Sequence, residues 1–264
     1  MGHGKKNWVG VVGVAMWAAA VGLQAQDARQ VVQLAVNAEL QANRDDHTHW
    51  RYLEREDDGD TYLVVETEHG AIKRHVEKSG QPAPASTLAA DDAYVQRFIH
   101  DPALQEKQRK DGAHDDKSAT ELLNLMPQAF VWNVESEAGD KTTLSFRPNP
   151  NFSPPDMEAR VMGAMSGTMV VSHDGHRIKT FKGRLMGDVT IGFGLLVRIK
   201  AGSTFDIERR QVQPGVWEIT ETHVHINGHA LFFKTIGQQE DEVKSDFSLV
   251  PLGTTLGQAV GMLK

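Results

Sequence analysis

The sequence predicts a mainly β, α+β protein: a strongly curved antiparallel sheet or half-barrel with helices covering its concave face. Three observations predict it. Residues 169–236 form a run rich in Val, Ile, Phe and Thr, broken at Asp174-Gly175, Pro214-Gly215 and Asn227-Gly228, dipeptides that accept tight-turn backbone angles. The segments between these breaks are long for ordinary strands, and Gly192 and Gly194 inside one of them read as a bend or bulge. Residues 86–130 differ in character: rich in Ala, Asp, Gln and Lys at helical spacing, they read as a helical insertion over the sheet.

The elements follow in order. Lys5 and Lys6 precede an uncharged apolar stretch, residues 8–23, and small residues lead to a polar exit at Gln26 and Asp27. A basic start, an apolar core and a small-residue exit are the parts of a secretory signal peptide, here 1–25, with cleavage after Ala25 or Gln26. The alternative is a retained anchor, but about 16 apolar residues fall short of the roughly 20 that span a bilayer. Residues 30–40, with Val31, Leu34, Ala35 and Ala38 at helical spacing, read as the first mature helix. Residues 43–49 read as a polar linker. Strands are expected at 50–55 and 61–67, joined by a turn at Asp57-Asp58-Gly59-Asp60, and again at 71–76.

Within the insertion, Ser86 is a candidate cap for a first helix and Pro102 suits the first turn of a second. The charged stretch 107–117 has poor patterning and is expected to be mobile, with a third short helix at 119–126. Strands resume at 130–135 and 142–146 around Ala138-Gly139-Asp140. Residues 148–155 carry four prolines with no backbone donor and form a loop. Residues 157–165 read as a short helix in preference to a strand. The expected main strands are 168–172, 178–185, 189–200, 203–210, 216–226 and 230–236, then 240–250, with residues 251–264 as a loosely held tail. The mature part, 26–264, is expected to be a single β-rich domain.

Composition bounds the function. The chain has 264 residues, 40 % hydrophobic and 24 % charged, enough for a substantial core without disulfides. Its net charge is −7, and loss of Lys5 and Lys6 with a leader makes it more negative still. Such a chain has no general attraction for nucleic acid, and after cleavage no stable membrane insertion is expected. With no cysteine, thiol nucleophiles, zinc-thiolate centres and thioether lipid anchors are excluded.

Residues 167–179 (Gly-Thr-Met-Val-Val-Ser-His-Asp-Gly-His-Arg-Ile-Lys), then 213–219 (Gln-Pro-Gly-Val-Trp-Glu-Ile) and Asn227-Gly228-His229 carry a family likeness. Over about residues 130–250 the pattern resembles periplasmic outer-membrane lipoprotein-sorting, LolA-like, proteins and acidobacterial secreted relatives with no assigned role. The resemblance implies an apolar cavity for acyl chains between sheet and helical lid, and no enzymatic activity. The charged insertion is longer than in a minimal carrier of that kind, and the missing anchor cysteine argues against the receptor branch.

The candidate cavity-lining residues are Trp50, Phe181, Phe193, Leu195, Phe205, Trp217 and Phe233, for which an ordinary core role is the alternative. His223 and His225, two apart on one strand face, with His229 nearby, are weak candidates for a metal site; a solvated sheet face is the preferred reading. His47 and His49 beside Asp45 and Asp46 are a second cluster, read as solvated linker. No cofactor is expected. Gly-x-Ser-x-Gly is absent: in Gly163-Ala164-Met165-Ser166-Gly167 the serine comes one place late. Three function classes remain at this point. The first is a non-enzymatic periplasmic or secreted carrier or sensor for an acyl chain or lipoprotein. The second is a cell-envelope protein-interaction module. The third, an enzyme with a scattered triad, has the least support.

Overall fold

The computed structural model of the protein describes residues 12–191, 197–230 and 234–264. Helix α1 (Val12–Asp45) opens it, followed by β1 (His49–Arg55), β2 (Thr61–Thr67), β3 (Gly70–Lys78) and the short β4 (Gln81–Pro82). Two helices follow, α2 (Ala85–His100) and α3 (Pro102–Ala129). Strands β5 (Phe130–Ala138) and β6 (Lys141–Pro148) precede the short helix α4 (Met157–Gly163). Then come β7 (Met165–Ser172), β8 (Ile178–Leu185), β9 (Val189–Ile191), β10 (Val197–Ile199), β11 (Thr204–Gln213), β12 (Val216–Ala230), β13 (Lys234–Val250) and α5 (Leu256–Met262).

The protein is mainly β. Among the described residues, thirteen strands form one open sheet, ordered β4-β3-β2-β1-β13-β12-β11-β8-β7-β6-β5, with β10 joined to β12 and β9 to β10. Neighbours run antiparallel, from His49 opposite Val250 in β1–β13 to Phe130 opposite Pro148 in β5–β6. Tight turns close the hairpins where glycine supplies positive φ: Gly139 at 61°, Gly175 at 67° and Gly215 at 82°.

Three clusters make the core. In the first, Ala28, Val32, Ala35 and Val36 form one stripe of α1 and pack on Trp132, Leu144, Phe146, Met169 and Leu185. Trp132 satisfies its indole by donating to the Met126 carbonyl at 3.1 Å, which ties the end of α3 to β5. In the second, Val95 and Phe98 of α2 and Leu256 and Ala259 of α5 cover Leu63, Val65 and Ile72. In the third, Trp50, Tyr52 and Val64 face the other way and meet Val212, Val216 and Phe247. Adjacent residues of β2 thus serve opposite faces, as strand geometry requires, and both faces of the sheet are covered there.

Several expectations are corrected. The helix expected at 30–40 is part of α1, and its buried stripe runs through Ala28, Val32, Ala35, Val36 and Glu39, leaving Leu34 41 % exposed. The helix continues to Asp45, through part of the expected linker. Ser86 lies inside α2, whose cap position is Pro84 with no side-chain bond. Residues 107–117 and 119–126 belong to one continuous helix, α3, whose Asp101 cap accepts from the Ala103 and Leu104 amides at 3.0 and 3.2 Å. The single strand expected at 189–200 is two strands paired with each other, Ile191 opposite Val197. Gly192 and Gly194 lie outside the described residues. Asn227-Gly228 is no turn: both residues sit in the β12–β13 ladder, opposite Gly237 and Ile236. The expected tail holds α5, started by a capping box between Thr255 and Gln258 and anchored by buried Leu256, Ala259 and Leu263.

Candidate functional site

Glu39 is the buried node of the site. It is 1 % exposed, on the core stripe of α1. Its Oε1 accepts from Arg177 Nε at 3.1 Å and from the Ile178 amide at 2.7 Å, and its Oε2 accepts from Arg177 Nη2 at 2.9 Å and from Arg209 Nη1. Arg209 Nη2 also donates to the Trp217 carbonyl at 3.1 Å. Burial alone would raise the Glu39 carboxyl; the Arg177 hydrogen bond and the charges of both guanidinium groups outweigh it and hold the group below its usual range. Two guanidinium groups share one carboxylate, so the cluster keeps a positive charge. Arg209 Nε is buried with no partner among the described residues.

Beside this node lies a cleft of about 620 Å³. Four chain segments wall it: the end of α1 (Ala42, Asp45), residues 46–48 (Asp46, His47, Thr48), the β11–β12 turn (Gly215, Val216, Trp217) and the end of β13 with its loop (Leu249, Val250, Pro251, Leu252). Arg177 completes the wall, its guanidinium carbon 6.0 Å from the Trp217 ring centre. Most of the lining is apolar. Leu252 at 81 % and Leu249 at 46 % exposure leave apolar surface open to solvent. A second hollow of about 250 Å³ adjoins it, sharing His47, Pro251 and Leu252 and adding His49 and Thr67. Cleft sizes of this order suit a small organic ligand.

Two acids in low-polarity surroundings flank Trp50. Glu218 accepts from Trp50 Nε1 at 2.8 Å, and Glu66 accepts from the Trp50 amide at 3.1 Å. Burial raises both carboxyls above their usual range, and for Glu218 the charges of Glu66 and Asp46 add to the rise.

The sequence-selected residues separate. Trp217 lines the cleft. Trp50 is 2 % exposed in the third core cluster. Phe181 stacks on Phe146 at 4.9 Å, and Phe205 meets it edge-on at 6.2 Å while staying 38 % exposed. Phe193, Leu195 and Phe233 lie outside the described residues. The space between the sheet and residues 86–130 is filled by the first two core clusters, and none of those residues lines either hollow.

His223 and His225 share one acceptor: Asp241 takes His223 Nδ1 at 2.5 Å and His225 Nε2 at 2.9 and 3.0 Å. The pairing follows from register, since His223 stands opposite Asp241. The side chain of His229 lies outside the described residues. Among the described residues, no group of three or more His, Asp or Glu is set to hold a metal ion. Ser166 lies within β7, opposite Arg184, on no sharp turn. A further ionic cluster joins His75 to Asp91 at 2.8 Å and to Asp60 at 3.3 Å, with Lys78 also on Asp60, fastening β3 to α2 and to the 57–60 turn.

Two signals for this site stood in the sequence unread. Glu39 falls on the apolar stripe of a helix, where an acid needs a buried partner. Asp45 and Asp46 end a helix whose carbonyl pole disfavours negative charge. The comparisons with known proteins bear on none of this: no family model, curated protein or solved structure matches the chain.

Proposed function

We propose that the protein is a non-enzymatic carrier or sensor that holds an acyl chain, free or on a lipoprotein, in the cleft around Trp217. One observation carries the reading: a cleft of about 620 Å³ whose walls are mainly Val216, Trp217, Leu249, Val250, Pro251 and Leu252, with the Glu39-bound Arg177 at its edge. Binding is driven by apolar burial, at roughly 25 cal/mol per Å². The likeness of residues 130–250 to LolA-like carriers supports the same class, with the ligand held at the end of α1 in place of the space under α2 and α3. The reading includes a strongly curved sheet, and the reach of Val212 and Val216 to Trp50 and Tyr52, on the face turned away from α2 and α5, supports the curvature. It also includes export to the periplasm or beyond by the leader at 1–25, which N-terminal sequencing of the mature protein checks. Among the described residues, no helix is long and apolar enough to cross a membrane.

A fluorescent fatty acid titrated into the purified protein is expected to bind with saturation, and Trp217→Ala to weaken it about tenfold or more, as loss of a buried aromatic contact does. No saturable uptake, with no lipid recovered by extraction, overturns the carrier reading. The filled space beneath α2 and α3 favours a second reading, a cell-envelope module that grips a protein partner. Failure of all lipid binding together with co-purification of one stoichiometric partner would establish it.

A further inference from the structure

We propose that the cleft selects a zwitterionic amphiphile: a single-chain lipid whose head carries an anionic phosphate and, a few bonds away, an ammonium group. This rests on the carrier reading and sharpens it, since apolar walls alone fix a tail and leave the head open.

The polar groups at the cleft carry both signs. Arg177 spends Nε and Nη2 on Glu39, and its Nη1 has no partner among the described residues. Its charge is not cancelled, because Glu39 also serves Arg209. Arg177 therefore faces the cleft as a fixed donor to an anion, held rigid by a buried carboxylate.

Two acids line the same cleft. Asp45 Oδ2 accepts from Gln41 Nε2 at 2.5 Å, and Asp46 Oδ1 accepts from the Thr48 amide and hydroxyl at 2.8 and 2.6 Å. The second oxygen of each has no partner among the described residues. Both acids stand at the C-terminal end of α1, where the helix dipole already carries negative charge. Two aspartates at that pole work against helix stability. A local arrangement that opposes stability marks a place shaped for something else. Here the arrangement gains if a cation sits between the two carboxylates and the helix end. One rigid cation and two carboxylates, each with one oxygen to spare, line the same mainly apolar cleft, which complements a head carrying both charges. A simple fatty acid would meet Arg177 and be repelled by both aspartates, and a simple cationic amphiphile would meet the reverse.

Four ten-carbon amphiphiles test this, each titrated calorimetrically below its critical micelle concentration: decylphosphocholine, decyl phosphate, decyltrimethylammonium and decyl maltoside. The phosphocholine is expected to bind at least about threefold tighter than each of the other three, the scale of partly exposed charge pairs. Asp45→Asn is expected to narrow the gap between phosphocholine and phosphate. Arg177→Met, which leaves Glu39 and Arg209 as a neutral pair, is expected to narrow the gap between phosphocholine and trimethylammonium. Should Arg177→Met fail to fold, the four-ligand comparison and Asp45→Asn decide alone. Equal binding of all four, or preference for a singly charged or uncharged head, overturns the zwitterion proposal and leaves the carrier reading standing. Absence of binding by all four overturns both.

Discussion

Glu39 and Arg177, 138 residues apart in the chain, meet through two hydrogen bonds at 3.1 and 2.9 Å beneath the cleft. The contact locks α1 to the start of β8, and Arg209 brings β11 and the Trp217 carbonyl to the same carboxylate. Removing the acid leaves two guanidinium groups buried without a counter-charge. Glu39→Leu is therefore expected to lower unfolding free energy by about 3–5 kcal/mol, measured in urea. A double change with Arg177→Met should lose less than the sum of the single losses, because the groups act as one unit.

The Asp60 carboxyl predicts an acid limb in stability. Burial pushes it up, but Lys78, the Ser79 amide and His75 hold it down at about 2. A carboxyl depressed in the folded state adds stability above its unfolded value of roughly 3.9, and that stability is lost as pH falls toward 2. The expected loss is roughly 1–2 kcal/mol, since Lys78 lies in solvent. Denaturation midpoints between pH 5 and pH 2 should show the fall, and Asp60→Asn should flatten it.

Glu218 predicts the opposite slope. Its carboxyl is raised on folding, so the folded state holds its proton more tightly than the unfolded state. Stability then falls as pH rises from the unfolded value toward the folded one, and ionised Glu218 is a net cost at neutral pH. Glu218→Gln keeps an acceptor for Trp50 Nε1 and is expected to raise the unfolding midpoint at pH 7. The gain should vanish below about pH 4. Thermal melts at both pH values check it.

Gly167 is fixed by crowding. A Cβ there would overlap the Lys182 carbonyl and press on the Phe146 ring. Gly167→Ala is expected to cost about 3 kcal/mol or more by forcing β7 away from β8, whereas Gly187→Ala meets open space and should be nearly neutral. Parallel denaturant curves of the two variants decide.

The capping box of α5 gives a smaller, local expectation. Gln258 donates its amide to Thr255 Oγ1 at 3.2 Å, and the Thr255 amide donates back to Gln258 Oε1 at 2.8 Å. Thr255→Ala should cost about 1 kcal/mol and speed amide exchange in residues 256–262 before the rest of the chain.

Much of the secondary structure was legible. Turns whose chemistry is local were read correctly, because Gly59, Gly175 and Gly215 each need positive φ, a demand that shows in the dipeptide itself. Asn227-Gly228 has the same turn chemistry and lies inside a ladder, since β13 pairs with residues 221–230 of β12. Pairing is a tertiary fact that outweighs turn propensity. Helical period in residues 107–117 is hidden by charges at seven of eleven positions; a capped start at Asp101 and intrahelical ion pairs such as Lys107–Asp111 accompany the continuous helix there. The cleft was the least legible part. Trp217 was selected by type, yet its partners at 42–48, 177 and 249–252 are joined only by sheet order, and periodicity carries no information about that order.

The sheet order also sets a timetable for synthesis. β1 lies between β2 and β13, and β13 follows every other described strand in the chain. While the chain emerges from its N-terminus onward, the β1–β2–β3 meander waits with one flank of β1 unpaired for almost two hundred residues, whereas β5 to β8 complete their ladders as they appear. Closure of the long gap is entropically slow, and an unsatisfied strand flank invites pairing with other chains. The nascent protein is thus most exposed to aggregation just before Val250 reaches His49, which is when a holding chaperone would matter most. Any truncation before residue 234 should trap the molecule in that sticky half-built state.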